Sequence, residues 1–358
     1  MKIVQVSASK NYEVIIDKDL LPKSGGYIRE RAGGRIAVII TDDIVDELYS
    51  DTVIKSLEDN EYNVLKYVVK NGESSKNSEN YIRILEYLAL HKVSRSDVLV
   101  ALGGGVVGDL TGFVAATYLR GVKFVQIPTT LLAAVDSSVG GKTAIDLEAG
   151  KNLVGAFYQP QVVLCDYNTL NTLTEEVFSD GCAEVIKYGV IASEELFEAC
   201  SQGIKENIEN IIYECVKIKR DIVAQDEFDT GLRQLLNFGH TIGHGIEACS
   251  NYEVTHGKAV AIGMILITKA SVKLGICEKI VLDRLEKLIK LCALPFDTHY
   301  GVSELYQVML SDKKVDGKMI NLVVPTTIGK AILKRVSIDE MKDILNKCFE
   351  NGGILWRQ

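Results

Sequence analysis

The sequence predicts two domains, an α/β domain over residues 1–170 and a mainly α-helical domain over residues 171–358. In the first half, apolar runs of strand length alternate with amphipathic helical patterns, which is typical of a mainly parallel sheet covered on both faces. After residue 171 the strand-type patterns almost disappear and helical periodicity replaces them. The sequence contains no flexible linker and no internal repeat, so we expect the two domains to pack closely with a cleft between them.

The predicted elements follow one another in a regular order. Six strands are predicted in the first domain, at residues 12–16, 35–40, 62–69, 97–102, 124–127 and 162–165. Helices are predicted between several of these strands, at 45–57, 78–91 and 110–116. The second domain carries helical patterns at 175–191, 206–226, 232–248, 258–274 and 282–291. Its one predicted hairpin joins residues 320–324 to residues 330–335.

The composition argues against several classes of protein. A formal net charge of -8 and a pI near 5.3 argue against general binding to nucleic acid or to an anionic membrane. No uncharged stretch approaches the length of a membrane span, and the first residues lack a signal-peptide pattern. The eight cysteines contain no C-x-x-C pair, so a thiolate metal site is not expected. We expect a cytoplasmic protein in which a few placed cations hold any anionic ligand.

A glycine-rich turn follows the fourth predicted strand. Gly103, Gly105 and Gly108 fit the pattern G-x-G-x-x-G in a strand-turn-helix context, where backbone amides can approach a pyrophosphate. This predicts a Rossmann-like, nucleotide-binding sheet. No acidic residue ends the next strand, as the usual dinucleotide pattern requires, but Asp42 and Asp43 follow an earlier strand and could hold the ribose hydroxyls. We therefore expect a nicotinamide cofactor in a non-standard arrangement.

Residues 120–158 are rich in glycine and small polar side chains. Arg120, Lys142 and Lys151 each stand beside glycine there, and such cations suit phosphate binding because exposed amides add to their charge. Residues 140–143 look like the end of a P-loop, but the leading glycine is missing. We therefore do not expect ATP hydrolysis.

Three of the five histidines, His240, His244 and His256, fall within one short window. Neutral imidazole is a common ligand of divalent metals, and the i,i+4 spacing favours His240 and His244 as a ligand pair on one helical face. The same spacing also occurs in structural histidines. Glu184 and Lys187 lie one turn apart on a predicted helix among small and apolar residues, which indicates a buried ion pair.

Six segments of the chain carry motifs whose order and spacing are typical of one family: residues 103–121, 128–146, 150–160, 181–189, 231–247 and 255–264. Taken together, these segments resemble the 3-dehydroquinate synthase family. The resemblance implies an NAD-binding α/β domain, a helical domain, an active site between them and a homodimer that uses NAD and one divalent metal, normally zinc, with cobalt as the alternative. The family converts the sugar phosphate 3-deoxy-D-arabino-heptulosonate 7-phosphate to 3-dehydroquinate and phosphate in the shikimate pathway of aromatic amino-acid biosynthesis.

The resemblance also implies roles for individual residues. It makes Glu184, His240 and His256 the metal ligands and His244 a neighbour that moves protons. Phosphate and substrate contacts are implied for Lys142, Asn152, Arg233, Lys313 or Lys314, and Arg120 reaching in from the other subunit. Ring contacts are implied for Asp136, Lys187, Lys219 and Asn237. Cofactor contacts are predicted at Asp42, Asp43, Glu73, Lys76, Gly104, Gly105, Val106, Gly108, Asp109, Thr129, Thr130, Lys142, Lys151, Thr169, Leu170 and Thr172.

Three other functions remain open from sequence. Another sugar-phosphate cyclase would make 2-deoxy-scyllo-inosose or a valiolone on the same scaffold. A metal- and NAD-dependent polyol dehydrogenase would accumulate NADH, whereas a synthase would release phosphate without net NADH. The third alternative is a nucleotide-binding regulatory module without catalysis. One departure from the family pattern is Lys258, at a position where the family more often has an acidic residue.

Overall fold

The computed structural model describes residues 1–311 and 319–349. The chain forms two compact units, which are described separately. The first contains Met1–Thr174 together with Ile208–Phe228, and the second contains Glu175–Asn207 and the described residues from Asp229 onward. The first unit is therefore built from two separate stretches of chain.

The first unit is centred on a seven-stranded sheet. Its strands lie in the order β1-β2-β9-β6-β5-β3-β4, and every neighbouring pair is parallel except the antiparallel pair β1 and β2. Strands β7 and β8 form a separate antiparallel hairpin. The strand bounds are β1 Lys2–Val6, β2 Tyr12–Asp17, β3 Ile36–Asp42, β4 Asn63–Val69, β5 Val98–Gly103, β6 Lys123–Pro128, β7 Lys142–Leu147, β8 Gly150–Phe157 and β9 Val162–Asp166.

Helices flank this sheet and make up most of the second unit. Those of the first unit are α1 Ser24–Ala32, α2 Asp43–Val45, α3 Asp51–Glu58, α4 Ser78–Leu90 and α5 Gly105–Thr117. The second unit contributes α6 Glu175–Ala192 and α7 Glu194–Ser201, and the chain then returns to the first unit with α8 Ile208–Gln225. The remaining elements are α9 His240–Cys249, α10 His256–Lys273, α11 Lys279–Leu291, α12 Val302–Ser311, the hairpin β10 Met319–Thr327 with β11 Lys330–Ser337, and α13 Ile338–Phe349.

Both faces of the large sheet are buried. Alternate residues of β3 point to opposite sides, so Ile39 packs in one apolar cluster and Val38 with Ile40 in another. Strand β5 follows the same rule, with Val100 in the first cluster and Leu99 in the second. The predicted parallel sheet covered on both faces is therefore confirmed.

The six predicted strands and the late hairpin are all present, with bounds within two or three residues of those predicted. Strand β1 and the hairpin β7–β8 were not predicted, because glycines and polar side chains interrupt the strand pattern in residues 140–157. Within the described part of the chain, no helix is both long and apolar enough to cross a bilayer.

The predicted helix over residues 232–248 was wrong, because the chain breaks in its middle. A 3-10 helix covers Leu232–Asn237, and α9 begins only at His240. Between them Gly239 adopts a left-handed conformation with φ of 78°. A Cβ atom on Gly239 would lie 2.6 Å from Met264 Cγ and 2.7 Å from the Val260 carbonyl oxygen, so close packing against α10 requires glycine there.

Candidate active site

Three helices of the second unit meet at the candidate metal centre. Helix α6 supplies Glu184, while α9 and α10 begin at His240 and His256. Small residues allow the helices to approach closely: a Cβ on Gly257 would lie 2.0 Å from the carbonyl oxygen of Asp180 on α6. This packing brings residues that are far apart in sequence to one point.

The three side chains are arranged as a metal site requires. Nε2 of His240 and Nε2 of His256 both lie 3.3 Å from Oε1 of Glu184. Their ligand atoms all lie within 4.8 Å of one another. Glu184 is fully buried, His240 is buried and His256 is partly exposed. Two imidazoles and one carboxylate form a ligand set typical of catalytic zinc, which also needs open positions for water or substrate.

Lys187 forms the expected buried ion pair with Glu184. The Lys187 side chain is 1% exposed, so the predicted burial of this pair is confirmed. Burial alone would raise the pKa of Glu184, but the Lys187 ammonium and the His240 imidazole hold that pKa well below its usual value. Glu184 is therefore an anion at neutral pH.

The two histidines are oriented through their other ring nitrogens. Nδ1 of His240 lies 3.1 Å from the carbonyl oxygen of Phe238, to which it can donate, leaving Nε2 to face Glu184. Burial lowers the pKa of His240, which favours the neutral ring that a metal needs. Nδ1 of His256 lies 3.5 Å from Oε1 of Glu247, a residue that the sequence motifs did not single out. Burial opposes the charged ring, but Glu184 and Glu247 together raise the pKa of His256 to about 10 in the metal-free protein.

His244 lies beside this centre without joining the group around Glu184. Its ring centroid is 5.5 Å from that of His240 and 6.2 Å from that of His256. It belongs instead to a second group of possible ligands with Glu247 and His256. The i,i+4 pair predicted from helical spacing therefore lies on one face of α9, while the site around Glu184 uses His240 and His256.

Two further predicted substrate residues, Arg233 and Asn237, lie on the 3-10 helix just before His240. Arg233 is 2% exposed, so it is buried in the structure. The other predicted cations of this unit, Lys313 and Lys314, lie outside the described residues. Lys258 pairs with Glu176 of α6, so the departure from the family pattern is balanced by an acidic neighbour.

In the first unit, the glycine-rich turn has the predicted strand-turn-helix context. Strand β5 ends at Gly103, and α5 begins at Gly105, with Val106 next in its first turn. A Cβ on Gly105 would lie 3.1 Å from Ser137 Oγ, and one on Gly108 would lie 2.7 Å from Gln126 Oε1. Packing inside the unit therefore accounts for part of the glycine pattern.

Nine of the predicted cofactor residues lie at one edge of the sheet. The carboxyl ends of parallel strands meet at the same edge, and those of β3, β5, β6 and β9 do so here. In the sheet, β4 lies on one side of β3, while β5 and then β6 lie on its other side. The strand order therefore reverses between β3 and β5, which makes this position a topological switch point. Sheets of this kind bind ligands at such a point. The residues at this edge are Asp42, Asp43, Gly104, Gly105, Thr129, Thr130, Thr169, Leu170 and Thr172.

The two predicted ribose carboxylates already have protein partners. Asp42 Oδ1 accepts hydrogen bonds from the amides of Ile44 at 3.1 Å and Val45 at 3.0 Å, capping the short helix α2. Asp43 accepts from the amide of Asn71 at 2.8 Å and pairs with Lys70. A ribose contact at either residue stays a prediction.

Lys76 is buried and lies among three carboxylates, of which Glu73 is exposed and the other two are partly exposed. Its Nζ is 2.8 Å from Glu73, 3.3 Å from Asp109 and 3.9 Å from Asp146. Burial opposes the charge, but the carboxylates raise the pKa of Lys76. Burial raises the pKa of Asp109 to about 6, although Lys76 acts in the opposite direction. Asp146 was missed from sequence because strand β7, which carries it, was not predicted.

The remaining predicted residues of the first unit lie in three places: the β7–β8 hairpin, the turn at Arg120, and the contact between Lys219 of α8 and Asp136. Lys142 begins β7, while Lys151 and Asn152 lie in β8. Arg120 is exposed and has a positive φ of 66°. Lys219 Nζ donates to both the carbonyl oxygen and Oδ1 of Asp136, each at 2.7 Å, so two residues predicted separately to lie near the ring are in contact.

Comparisons with known proteins agree with these features. The family model for the 3-dehydroquinate synthase N-terminal region matches residues 66–180, and that for its C-terminal region matches residues 181–315. A 3-dehydroquinate synthase from Clostridium acetobutylicum is 45% identical over 348 residues, which is 95% of this chain and 98% of the relative. One from Streptococcus mutans is 44% identical over 346 residues, covering 94% and 98%.

A solved structure shows the same fold. A 2-epi-5-epi-valiolone synthase from Streptomyces hygroscopicus, with NAD+ and Zn2+ bound, has a TM-score of 0.86 and covers 98% of this chain and 99% of that one at 23% identity. This likeness shows the fold, and Glu184, His240 and His256 form the candidate metal centre of the second unit. The family models and the relatives show that the chain belongs to the 3-dehydroquinate synthase family and is an enzyme. The resemblance predicted from sequence is confirmed, and the alternative functions are not favoured.

Proposed function

We propose that the chain converts 3-deoxy-D-arabino-heptulosonate 7-phosphate to 3-dehydroquinate and phosphate, using NAD and one divalent metal ion, zinc or alternatively cobalt. The family and its 44–45% identical relatives support the reaction. The observation that carries the proposal is the pair of imidazole nitrogens, each 3.3 Å from one buried oxygen of Glu184. Two imidazole nitrogens around one buried carboxylate oxygen are a donor set that suits a divalent metal ion.

The residues present fit a metal ion. Among the described residues, neither carboxylate oxygen of Glu184 accepts a hydrogen bond of standard geometry, although both oxygens are buried. A buried carboxylate that faces two imidazoles, even with Lys187 paired to it, suits a divalent cation. When bound by Glu184, His240 and His256, the ion would polarise a substrate oxygen and lower the cost of negative charge on it.

The sheet edge of the first unit fits NAD. Gly104, Gly105 and Val106 would present backbone amides to the pyrophosphate, because they form the turn and first residues of a helix N-terminus. Glu73, Lys76 and Asp109 would line the same site with Thr129 and Thr130. When bound, NAD would take a hydride from the substrate and return it, so that it is not consumed.

The side chains of this chain would bind the substrate and move its protons. His244 is placed to carry a proton beside the metal ligands, since its ring lies 5.5 Å from that of His240. Phosphate leaves with the electrons of its carbon–oxygen bond after the neighbouring carbon loses a proton, and cations stabilise that departing charge. We assign this task to Lys142, Asn152, Arg233, Lys313 or Lys314, and Arg120, with Asp136, Lys187, Lys219 and Asn237 around the ring.

We also propose a homodimer in which Arg120 reaches the neighbouring active site, and a cytoplasmic location. Support for the first comes from the turn at Leu119 and Arg120. Both residues are exposed and have positive φ values of 51° and 66°. Non-glycine residues adopt this backbone region at a conformational cost, so a strained turn with an exposed arginine suits a contact that forms on assembly.

The proposed reaction is tested by incubating zinc-loaded protein with the heptulosonate phosphate and a catalytic amount of NAD. We expect phosphate and dehydroquinate to appear in equal amounts while NADH does not accumulate. The absence of phosphate release would overturn the proposal. Accumulation of NADH with a simple polyol would instead indicate a dehydrogenase.

A further inference from the structure

Helix α9 carries a third inward-facing group besides its two histidines. His240, His244 and Glu247 stand at i, i+4 and i+7, so all three lie on one face of the helix. Glu247 is only 4% exposed, which is unusual for a carboxylate unless it has a partner. Its Oε1 lies 3.5 Å from Nδ1 of His256 on the neighbouring helix.

The backbone holds Glu247 in place at the end of α9. Its carbonyl oxygen accepts hydrogen bonds from the amide of Tyr252 at 2.7 Å and from the buried hydroxyl of Ser250 at 2.8 Å. The turn that closes α9 therefore anchors this residue. The carboxylate is thus presented to His256 by a rigid element rather than by a mobile loop.

Each histidine ligand has one nitrogen facing Glu184 and one facing another oxygen. For His240 the second oxygen is the carbonyl of Phe238 at 3.1 Å, and for His256 it is the carboxylate of Glu247. A hydrogen bond from Nδ1 places the proton there and leaves the lone pair of Nε2 for a metal. A carboxylate acceptor also makes the ring a stronger ligand than a carbonyl does.

We propose that Glu247 is a positioning residue for the metal centre: it accepts the Nδ1 hydrogen bond of His256 and holds Nε2 of that ring towards Glu184. Glu247 does not itself bind the ion. This inference rests on the metal site of the proposed function, but not on the reaction or its substrate.

The principal rival is that Glu247 ligates the ion directly, in a group with His244 and His256. The geometry favours positioning, because Nε2 of His256 already faces the buried oxygen of Glu184 at 3.3 Å. Direct ligation by Glu247 would draw the ion away from His240 and from the fully buried carboxylate. The two roles predict different spectra for bound cobalt.

The test compares Glu247→Gln with Glu253→Gln. Glu253 is exposed and lies in the turn after α9, so its variant removes the same charge nearby without touching His256. Zinc affinity is measured at one pH by competition with a chromophoric chelator. We expect Kd to rise about 10- to 100-fold in Glu247→Gln, as for other carboxylates that orient histidine ligands. We expect no change in Glu253→Gln.

The visible spectrum of the Co2+-loaded variant identifies the role. Band positions and intensities like those of the wild type are expected, because the three ligands are retained. Loss of a ligand in that spectrum would overturn the proposal, as would a zinc Kd within twofold of the wild type. If Glu247→Gln does not fold, Glu247→Asp keeps the charge and should show intermediate affinity, whereas wild-type affinity in that variant would contradict the inference.

Failure of this inference can be told apart from failure of the proposed function. Zinc binding is measured without substrate or NAD, so weakened binding in Glu247→Gln supports positioning even if the wild type releases no phosphate. Conversely, the wild type could make dehydroquinate while Glu247→Gln binds zinc with normal affinity. That result would support the proposed function and contradict the role of Glu247.

Discussion

Lys219 and Asp136 form a double contact in the first unit: the lysine Nζ lies 2.7 Å from both the carbonyl oxygen and Oδ1 of Asp136. Lys219 is 7% exposed and Asp136 is 21% exposed, so water replaces these hydrogen bonds poorly. The contact ties α8 to the turn after β6, although 83 positions separate the two residues in sequence. Both residues were predicted to lie near the substrate ring.

Removing this lysine should destabilise the first unit. Lys219→Met removes the ammonium that donates to Oδ1 of Asp136. We expect the free energy of unfolding to fall by about 1.5–3 kcal/mol, the range for hydrogen bonds to charged groups. Urea unfolding of the metal-free protein measures this change. The matched control is Lys217→Met on the same helix, where the lysine is 35% exposed and pairs with Glu214. A loss equal to that of the control would contradict the role given to Lys219.

Glu184 should be indispensable for metal binding. Glu184→Gln removes the anion on which both imidazoles converge, and we expect bound zinc to fall from about one ion per chain to less than about 0.1 after gel filtration. Mass spectrometry of the eluted protein measures the metal content. Glu175→Gln is the control, since that residue of α6 is 97% exposed. Retention of stoichiometric zinc by Glu184→Gln would refute the proposed ligand set.

Asp109 should make stability depend on pH. Burial raises its pKa to about 6 from an ordinary value of 3.8. Between these values the folded protein holds a proton that the unfolded chain has released, so the free energy of unfolding falls as pH rises through this window. Asp109→Asn mimics the protonated form and removes that loss.

The difference in the free energy of unfolding between Asp109→Asn and the wild type should therefore shift in favour of the variant as the pH rises from 4.5 to 7.5. The pKa shift corresponds to a gain of at most about 3 kcal/mol. Because 21% of the Asp109 side chain is exposed to water, we expect a smaller gain. Urea unfolding of the cofactor-free proteins at the two pH values measures it. A constant difference between variant and wild type across the window would show that Asp109 ionises without cost.

Gly239 should tolerate no side chain. Gly239→Ala adds a Cβ atom 2.6 Å from Met264 Cγ at a position whose φ is 78°. We expect a loss of about 2–4 kcal/mol, from left-handed strain and overpacking together. Zinc affinity should also fall, since His240 follows directly. Calorimetry and chelator competition measure the two effects.

Gly275→Ala is the matched control for this steric argument. Gly275 has a similar φ of 68°, but a Cβ atom there would meet nothing within 4 Å. Only the conformational cost of about 1 kcal/mol is then expected, with no change in zinc affinity. Equal losses at the two glycines would show that contact with α10 does not decide the conformation of Gly239.

Much of the first unit could be predicted from sequence, because its elements carry local signals. A short apolar run such as residues 97–102 is itself the signal of a strand buried on both faces. The glycine turn at 103–108 is likewise recognisable from its own residues. The hairpin β7–β8 lacked such a signal. Strand β8 contains two glycines and no buried residue, and β7 has only two buried residues, so neither strand carries a strong periodic signal.

The candidate site shows where local signals end. The sequence alone determined the alternation of strands and helices, the histidine window, the burial of Glu184 and Lys187, and a family resemblance that named the three ligands. Only the tertiary structure decided that α9 starts at His240, that Lys76 meets Asp146 and that Glu247 faces His256. Each of these depends on the packing of two separate elements against each other. The free energy of such contacts comes from packing and charge across space, which residue spacing along one helix cannot encode.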